Sequence, residues 1–203
     1  MEEPEMLIHS MKLLVSLGYT NPKGGNGSIR VDDRRILITP SGIPKHLLKT
    51  DDLVLYDIIN NSYIGKYKPS IEVNAHAKTY RVRNDIHAIL HAHLPLATSL
   101  TDIGLENWWL AGTVEAEYSL GKVYVSEYAP PGSLELAEKI AEGFRAGAKI
   151  VIVPRHGVFA GGKDVADALD SIIALESTAK YVYVKVVVEE LRNIKNKVLN
   201  GST

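Results

Sequence analysis

A one-domain α/β fold is what this 203-residue sequence predicts. Three observations point to it: an alternating stretch at 86–94, a wholly apolar, β-branched run Ile150-Val151-Ile152-Val153, and amphipathic spans of helical period around them. The length suits one domain with a sizeable core, and 45% apolar with 23% charged residues is an ordinary globular profile. A net charge of −1 and a pI near 6.7 give no electrostatic case for nucleic acid or an anionic membrane as partner. No run reaches the ~18 apolar residues of a membrane span. The opening Met1-Glu2-Glu3-Pro4-Glu5 has the wrong charge for a signal peptide, so a cytoplasmic enzyme is the default expectation. Without cysteine there is no disulfide and no thiolate site, and any metal must be held by histidine and carboxylate.

Residues 5–18 read as an amphipathic helix, with Leu7, Met11 and Leu14 on its apolar side and Gly18 as its stop. Asn21 to Ser28 is dense in turn formers and reads as a loop. Ile29–Val31 and Arg35–Thr39 follow as strands joined through Asp32-Asp33. Pro40-Ser41-Gly42 turns the chain, and Leu53–Asp57 is a third strand, with a turn at Asn60-Asn61. Residues 70–83 predict a helix with Ser70 as N-cap after Pro69 and Glu72 in its first turn. A short helix over 96–103 ends at Gly104, and segment 105–120 takes no assignment. Lys122–Val125 is a strand, Ser133 caps a helix to Ala146 stopped by Gly147, and Ile150–Val153 is a buried strand. Val158–Ala160 is a strand turned by Gly161-Gly162, and one helix runs from an Asp164 cap to about Arg192. Val182–Val188 within it has the composition of a strand.

The chemistry is organised around Ile86 to Leu94. With a period of two, His87, Ile89, His91 and His93 share one face, and Ala88, Leu90, Ala92 and Leu94 the other. A rise of ~3.3 Å per residue puts His91 and His93 roughly 6.6 Å apart at Cα, so two imidazoles can converge on one cation. Pro95 closes the strand beside them. The strand alone leaves two readings open, satisfied core histidines or ligands of a first-row metal. A metal would remove a desolvation cost of ~1–3 kcal/mol per unpartnered group. His156 stands at the exit of another buried strand beside Gly157, and three histidines leave a tetrahedral zinc with an open, catalytic position. Glu72, 19 residues before His91, is the nearest candidate base. Taken alone it reads first as a carboxylate complementing a helix dipole.

Taken together, Gly25-Asn26-Gly27-Ser28, Ile38-Thr39-Pro40-Ser41-Gly42, Pro69-Ser70-Ile71-Glu72, His91-Ala92-His93 and Arg155-His156-Gly157 resemble the class II aldolase/adducin family over roughly residues 5–185. Within it, the motifs look most like those of the L-fuculose-phosphate aldolases. The resemblance implies a single class II aldolase-like domain over 1–203, built as three α/β/α layers with a central, largely antiparallel sheet flanked by helices on both faces. It further implies a four-fold homotetramer with sites near subunit interfaces. His91, His93 and His156 would ligate zinc, with manganese or cobalt as alternatives, and Glu72 would be the acid/base. Asn26, Ser41, Gly42 and Ser70 would hold the substrate phosphate, which agrees with turns and a helix N-terminus offering N–H groups to an anion.

The activity so implied is reversible cleavage of an L-fuculose-1-phosphate-like ketose to dihydroxyacetone phosphate and a small aldehyde, through a metal-stabilised enediolate. Glu72 would move the proton at the enediolate carbon, and Tyr118 of a neighbouring subunit is the candidate second acid/base. The sequence departs from the family pattern at Ile71, where a second serine is common, and at Trp108-Trp109, which read as interface or core packing. Related 4-epimerases carry aspartate in place of Glu72, whereas sugar-phosphate dehydratases and decarboxylases keep the same glutamate and histidines and remain open. A non-catalytic, adducin-like interaction domain would be expected to lose its metal ligands, and this chain has all of them.

Overall fold

The computed structural model describes residues 2–199, so the outer limits expected for the domain, Met1 and residues 200–203, lie outside it. Its strands are β1 (Asn26–Arg30), β2 (Arg35–Ile38), β3 (Val54–Asp57), β4 (Ser62–Ile64), β5 (Ala88–Ala92), β6 (Val123–Val125), β7 (Ile150–Val153) and β8 (Gly157–Gly162). They form one sheet in the order β4-β3-β2-β1-β5-β8-β7-β6. Every neighbouring pair is antiparallel except β6 with β7. The helices are α1 (Glu3–Ser16), α2 (Val73–Val82), α3 (Pro95–Asp102), α4 (Val114–Ser119), α5 (Leu134–Arg145) and α6 (Val165–Leu199). None among the described residues is long and apolar enough to cross a membrane.

Alternation along β5 explains the layering. Ala88, Leu90 and Ala92 join Leu7, Met11 and Leu14 of α1 and Ile172 and Leu175 of α6 in one core, which also takes in α3 and α4. Ile89 faces the other way, into a second core with Val73, Ala77 and Tyr80 of α2 and Leu136, Ile140 and Phe144 of α5. Helices therefore cover both faces of a largely antiparallel sheet, as expected. Trp108 is buried in the first core with its indole N–H on the Thr101 hydroxyl, 3.1 Å away, so it is a packing residue.

Several local expectations are corrected. β1 starts at Asn26, inside the stretch read as loop, because Gly27 lies in a central strand where a Cβ would come within 2.6 Å of Leu7 and 2.7 Å of Leu90. Gly161 and Gly162 belong to β8 and make no turn. Helix α2 begins at Val73, leaving Glu72 as the residue before it, while Ser70 Oγ accepts the Glu72 N–H at 3.3 Å. Segment 105–120 contains α4, capped by Thr113, whose side chain accepts the Ala116 N–H. A short strand, β4, follows the Asn60-Asn61 turn, and α6 continues past Arg192 to Leu199.

Gly162 sets the distance between sheet and helix. A Cβ there would lie 2.5 Å from the Ala168 nitrogen and 2.7 Å from the Asp164 oxygen, both backbone atoms of the α6 start. Gly162→Ala is expected to cost ~1–3 kcal/mol, read as a lower urea midpoint with unchanged slope. An unshifted midpoint would show that the helix is not held this close.

Candidate metal centre

Sheet register assembles the site. β1 and β8 both run antiparallel to β5, so their first residues lie beside the last residues of β5; Asn26 pairs with His91, and His91 with Phe159. His91, at the end of β5, stacks on the Phe159 ring with centroids 4.1 Å apart. His93 follows one residue beyond the strand, its N–H bonded to the Tyr19 carbonyl at 2.9 Å. Leu94 then takes φ +40°, and Pro95 occupies the first turn of α3. His156 sits in the tight link between β7 and β8, after Arg155 at φ +59°. Gly24 and Gly25 let the 21–25 loop close over the rings: a Cβ on Gly24 would meet His93 at 2.6 Å, and one on Gly25 the His91 carbonyl at 2.7 Å.

His91, His93 and His156 each bring a ring nitrogen within 4.8 Å of the others, a spacing that one cation can bridge. His91 donates Nδ1–H to the Val158 carbonyl at 3.0 Å, which fixes its tautomer and leaves Nε2 a bare lone pair. That nitrogen lies 3.2 Å from Glu72 Oε2, and His156 Nε2 lies 3.2 Å from Glu72 Oε1. Burial pushes the His91 pKa down, and the Glu72 carboxylate beside it acts in the opposite sense. His91 Nε2, His156 Nδ1 and Glu72 Oε1 are buried without a hydrogen-bond partner. A neutral imidazole lone pair and a buried carboxylate that face each other repel unless a proton or a cation lies between them. The donor set therefore fits a divalent metal bound by nitrogen and carboxylate.

Glu72 is fixed from behind by a chain of hydrogen bonds. Asn26 Nδ2 donates to Glu72 Oε2 at 2.7 Å, and Asn26 Oδ1 accepts from His76 Nε2 at 2.6 Å. Ser28 Oγ lies 2.7 Å from His76 Nδ1 and 2.9 Å from the Tyr80 hydroxyl. Burial lowers the His76 pKa to about 4, so its ring is neutral and can both donate and accept. Burial alone would raise the Glu72 pKa. Positive charge at the His91 and His156 rings, from protons or from a bound cation, together with the Asn26 amide outweighs it and holds the carboxyl well below its ordinary range.

The expected site residues fall into two sets. His91, His93, His156 and Glu72 converge, and beside them a cleft of about 220 Å³ is lined by Asn26, Ser41, Gly42, Ser70 and Ile71. Not every expected anion donor is free: the Ser41 N–H bonds to the Lys68 carbonyl and the Ser70 N–H to the Thr39 carbonyl, each across the Pro40–Pro69 bridge. Asn26 already spends its amide on Glu72 and His76. Tyr118, 84% exposed on α4, does not line this cleft. Two contributors escaped the sequence reading, His76 and Lys45. Lys45 is 2% exposed in the cleft wall, with Nζ 3.3 and 3.4 Å from the Lys23 and Ile43 carbonyls and no carboxylate partner within ion-pair distance among the described residues, and burial lowers its pKa to about 8. No motif marks either residue, since a lone histidine on a helix and a lysine after a proline both look like surface.

The family model for the class II aldolase and adducin N-terminal domain matches residues 5–183. An L-fuculose phosphate aldolase of Methanocaldococcus jannaschii is 35% identical over 188 residues, covering 93% of this chain and 99% of the relative. A 3-oxo-tetronate 4-phosphate decarboxylase of Haemophilus influenzae is 32% identical over 184 residues, covering 89% of this chain and 87% of the relative. Among solved structures, an L-fuculose 1-phosphate aldolase superposes with a TM-score of 0.78 at 32% identity, covering 92% of this chain and 87% of the other. Fold, site and relatives agree: the chain belongs to the class II aldolase and adducin N-terminal domain family, as one of its aldolase-type enzymes.

Proposed function

We propose that this chain reversibly cleaves a phosphorylated ketose of the L-fuculose 1-phosphate kind into dihydroxyacetone phosphate and a small aldehyde, with zinc held by His91, His93 and His156. The observation that carries this reading is the convergence of three histidine ring nitrogens within 4.8 Å of one another beside the Glu72 carboxylate, which lies 3.2 Å from His91 Nε2. A bound metal supplies Lewis acidity for the negative charge that carbon–carbon cleavage leaves on the ketone fragment. In cleavage the bond between the ketose C3 and C4 breaks, its electron pair stays with C3, and the C4 hydroxyl loses its proton as the aldehyde forms. Glu72, ionised at rest, removes a proton from that carbon of dihydroxyacetone phosphate in condensation and returns it in cleavage. Asn26 and His76 hold one Glu72 oxygen so that the other can face the substrate.

Ser41, Gly42, Ser70 and Lys45 form the end of the cleft that takes the phosphate. Ile71 offers no hydroxyl there, and the Lys45 ammonium supplies the charge. Tyr118 lies outside its own cleft, so any part it takes in proton transfer is at a neighbouring subunit of the cytoplasmic homotetramer the sequence suggests. Loss of carbon dioxide from a phosphorylated sugar acid is the second reading, supported by the decarboxylase relative. Scoring aldehyde against carbon dioxide release from the two substrate types separates them.

His93→Ala is expected to bind zinc at least tenfold more weakly by calorimetry while keeping its far-UV spectrum; parental affinity would sink the three-histidine assignment. Glu72→Gln should retain zinc yet slow deuterium exchange into dihydroxyacetone phosphate by ~100-fold or more. Exchange at the parental rate would remove Glu72 from the proton transfer. Lys45→Met should weaken inhibition by sulfate, a probe whose charge is constant over the pH range used, by roughly tenfold or more. In the parent protein that inhibition should fade as pH rises through about 8, where the Lys45 ammonium loses its proton, and in the variant this step should vanish. Equal sulfate inhibition in both proteins would refute the anion role.

A further inference from the structure

The second half of α6 is an anomaly of composition and exposure. Every side chain from Tyr183 to Val198 is exposed, so this part of the helix has no partner within the described chain. From Val184 onward it also lies beyond the residues that the family model matches. The stretch Val182 to Val188 is dominated by β-branched valine, which loses side-chain freedom in a helix and favours strands. A helix of this size standing free in water is marginal even with good helix formers. Contiguous exposed apolar surface of this kind marks an interface.

The apolar positions are spaced for one kind of partner. Val184, Val187, Leu191, Ile194 and Val198 recur at alternating intervals of three and four residues, the a and d positions of a coiled coil. They are 53%, 39%, 60%, 56% and 75% exposed, and they run ~21 Å along the helix. In this register Glu190 falls at g and Lys195 at e. The g residue of one strand meets the e residue five positions later on a parallel neighbour, so two copies of this helix laid in parallel would pair Glu190 of each with Lys195 of the other. Leu191 at a with Ile194 at d, and Val187 at d, is the seam chemistry that favours more than two strands. Val188, at e, widens the stripe in the same sense. Val186, at c, stands off the seam, and nothing in the structure explains it.

We propose that residues 184–198 of α6 associate in parallel with the same segment of further copies of this chain, forming a short bundle of more than two helices. The segment is only about two heptads long, so its association depends on the folded bodies holding the helices at high effective concentration. This inference does not depend on the substrate or the metal.

The chain has no cysteine, so every disulfide formed by a single-cysteine variant can be assigned. Full-length Val187→Cys, Ile194→Cys and Val198→Cys, oxidised with copper phenanthroline, are expected to give covalent dimers for most of the protein on non-reducing gels. Asn193→Cys and Asn196→Cys, on the outer face, should stay monomeric under the same conditions. Parallel packing brings equivalent seam residues together at both ends. In an antiparallel pair the copies of Val187 and Val198, ~16 Å apart along the helix, could not both meet their own equivalents. Crosslinking at one end only, or no more than in the outer-face controls, overturns the proposal. Unchanged far-UV spectra confirm that each variant has folded before its gel is read.

Discussion

The structure is organised around the meeting of a buried imidazole with a buried carboxylate, His91 Nε2 and Glu72 Oε2 3.2 Å apart. His91 must give its Nδ1 proton to the Val158 carbonyl, because β8 runs beside β5 and presents that oxygen to the ring. Phe159 stacks on the same ring and fixes its plane. The remaining lone pair then points at Glu72, a carboxylate held in place by Asn26. Turning either side chain away breaks its own hydrogen bond, His91 to the Val158 carbonyl or Glu72 to the Asn26 amide. Burying two such groups unreconciled would cost several kcal/mol, and the antiparallel order β1-β5-β8 is what imposes their meeting. A cation bound there would satisfy both groups, so metal binding is expected to stabilise the fold.

Behind Glu72 the protein spends buried polar groups freely. Tyr80, Ser28, His76 and Asn26 form one connected series in which each hydrogen atom has an acceptor, with neutral His76 passing the polarity from a hydroxyl to an amide. A fully satisfied network of this kind is rigid and specifies one geometry. It also changes the meaning of Asn26. Motif likeness assigns that residue to the phosphate, yet its amide is committed at both ends to orienting the carboxylate, so its contribution passes through Glu72 before it reaches any ligand.

What the sequence made legible follows from the range of the forces involved. The His91–His93 pairing is a period-two property of one strand, and it survived folding because alternation in a strand needs no partner to define it. The capped helix after Ser133 and the valine-isoleucine run of β7 are local in the same way. Glu72 was visible as part of a motif, but its position just before α2, where it faces two histidines, depends on the Pro40–Pro69 bridge. Gly27 and Gly161-Gly162 misled because glycine reads as turn; at these points it is there to let a helix or a neighbouring side chain come close. Lys45 and His76 stayed hidden for the converse reason. A polar residue carries no sign of its own burial, which is decided by what packs over it.

The breadth of the family locates specificity away from the metal. Relatives named as an aldolase and as a decarboxylase match this chain at 35% and 32% identity. A shared ligand set can serve different bond cleavages, because stabilising negative charge next to a carbonyl is common to all of them. What distinguishes one chemistry from another must then lie in how the substrate is held relative to that charge. In this chain the cleft lining brings the buried Lys45 and the apolar Ile71 together with Glu72, His93 and His156. On the proposed reading, an anionic substrate would have its charged terminus drawn to the lysine, which would leave its carbonyl end to the histidines and Glu72. A neutral sugar would have no such alignment, and a substrate charged at both ends would meet an unscreened conflict with Glu72. On the proposed reading, the charge pattern of the cleft would favour a monophosphorylated carbonyl compound on electrostatic grounds, before any hydroxyl stereochemistry is read.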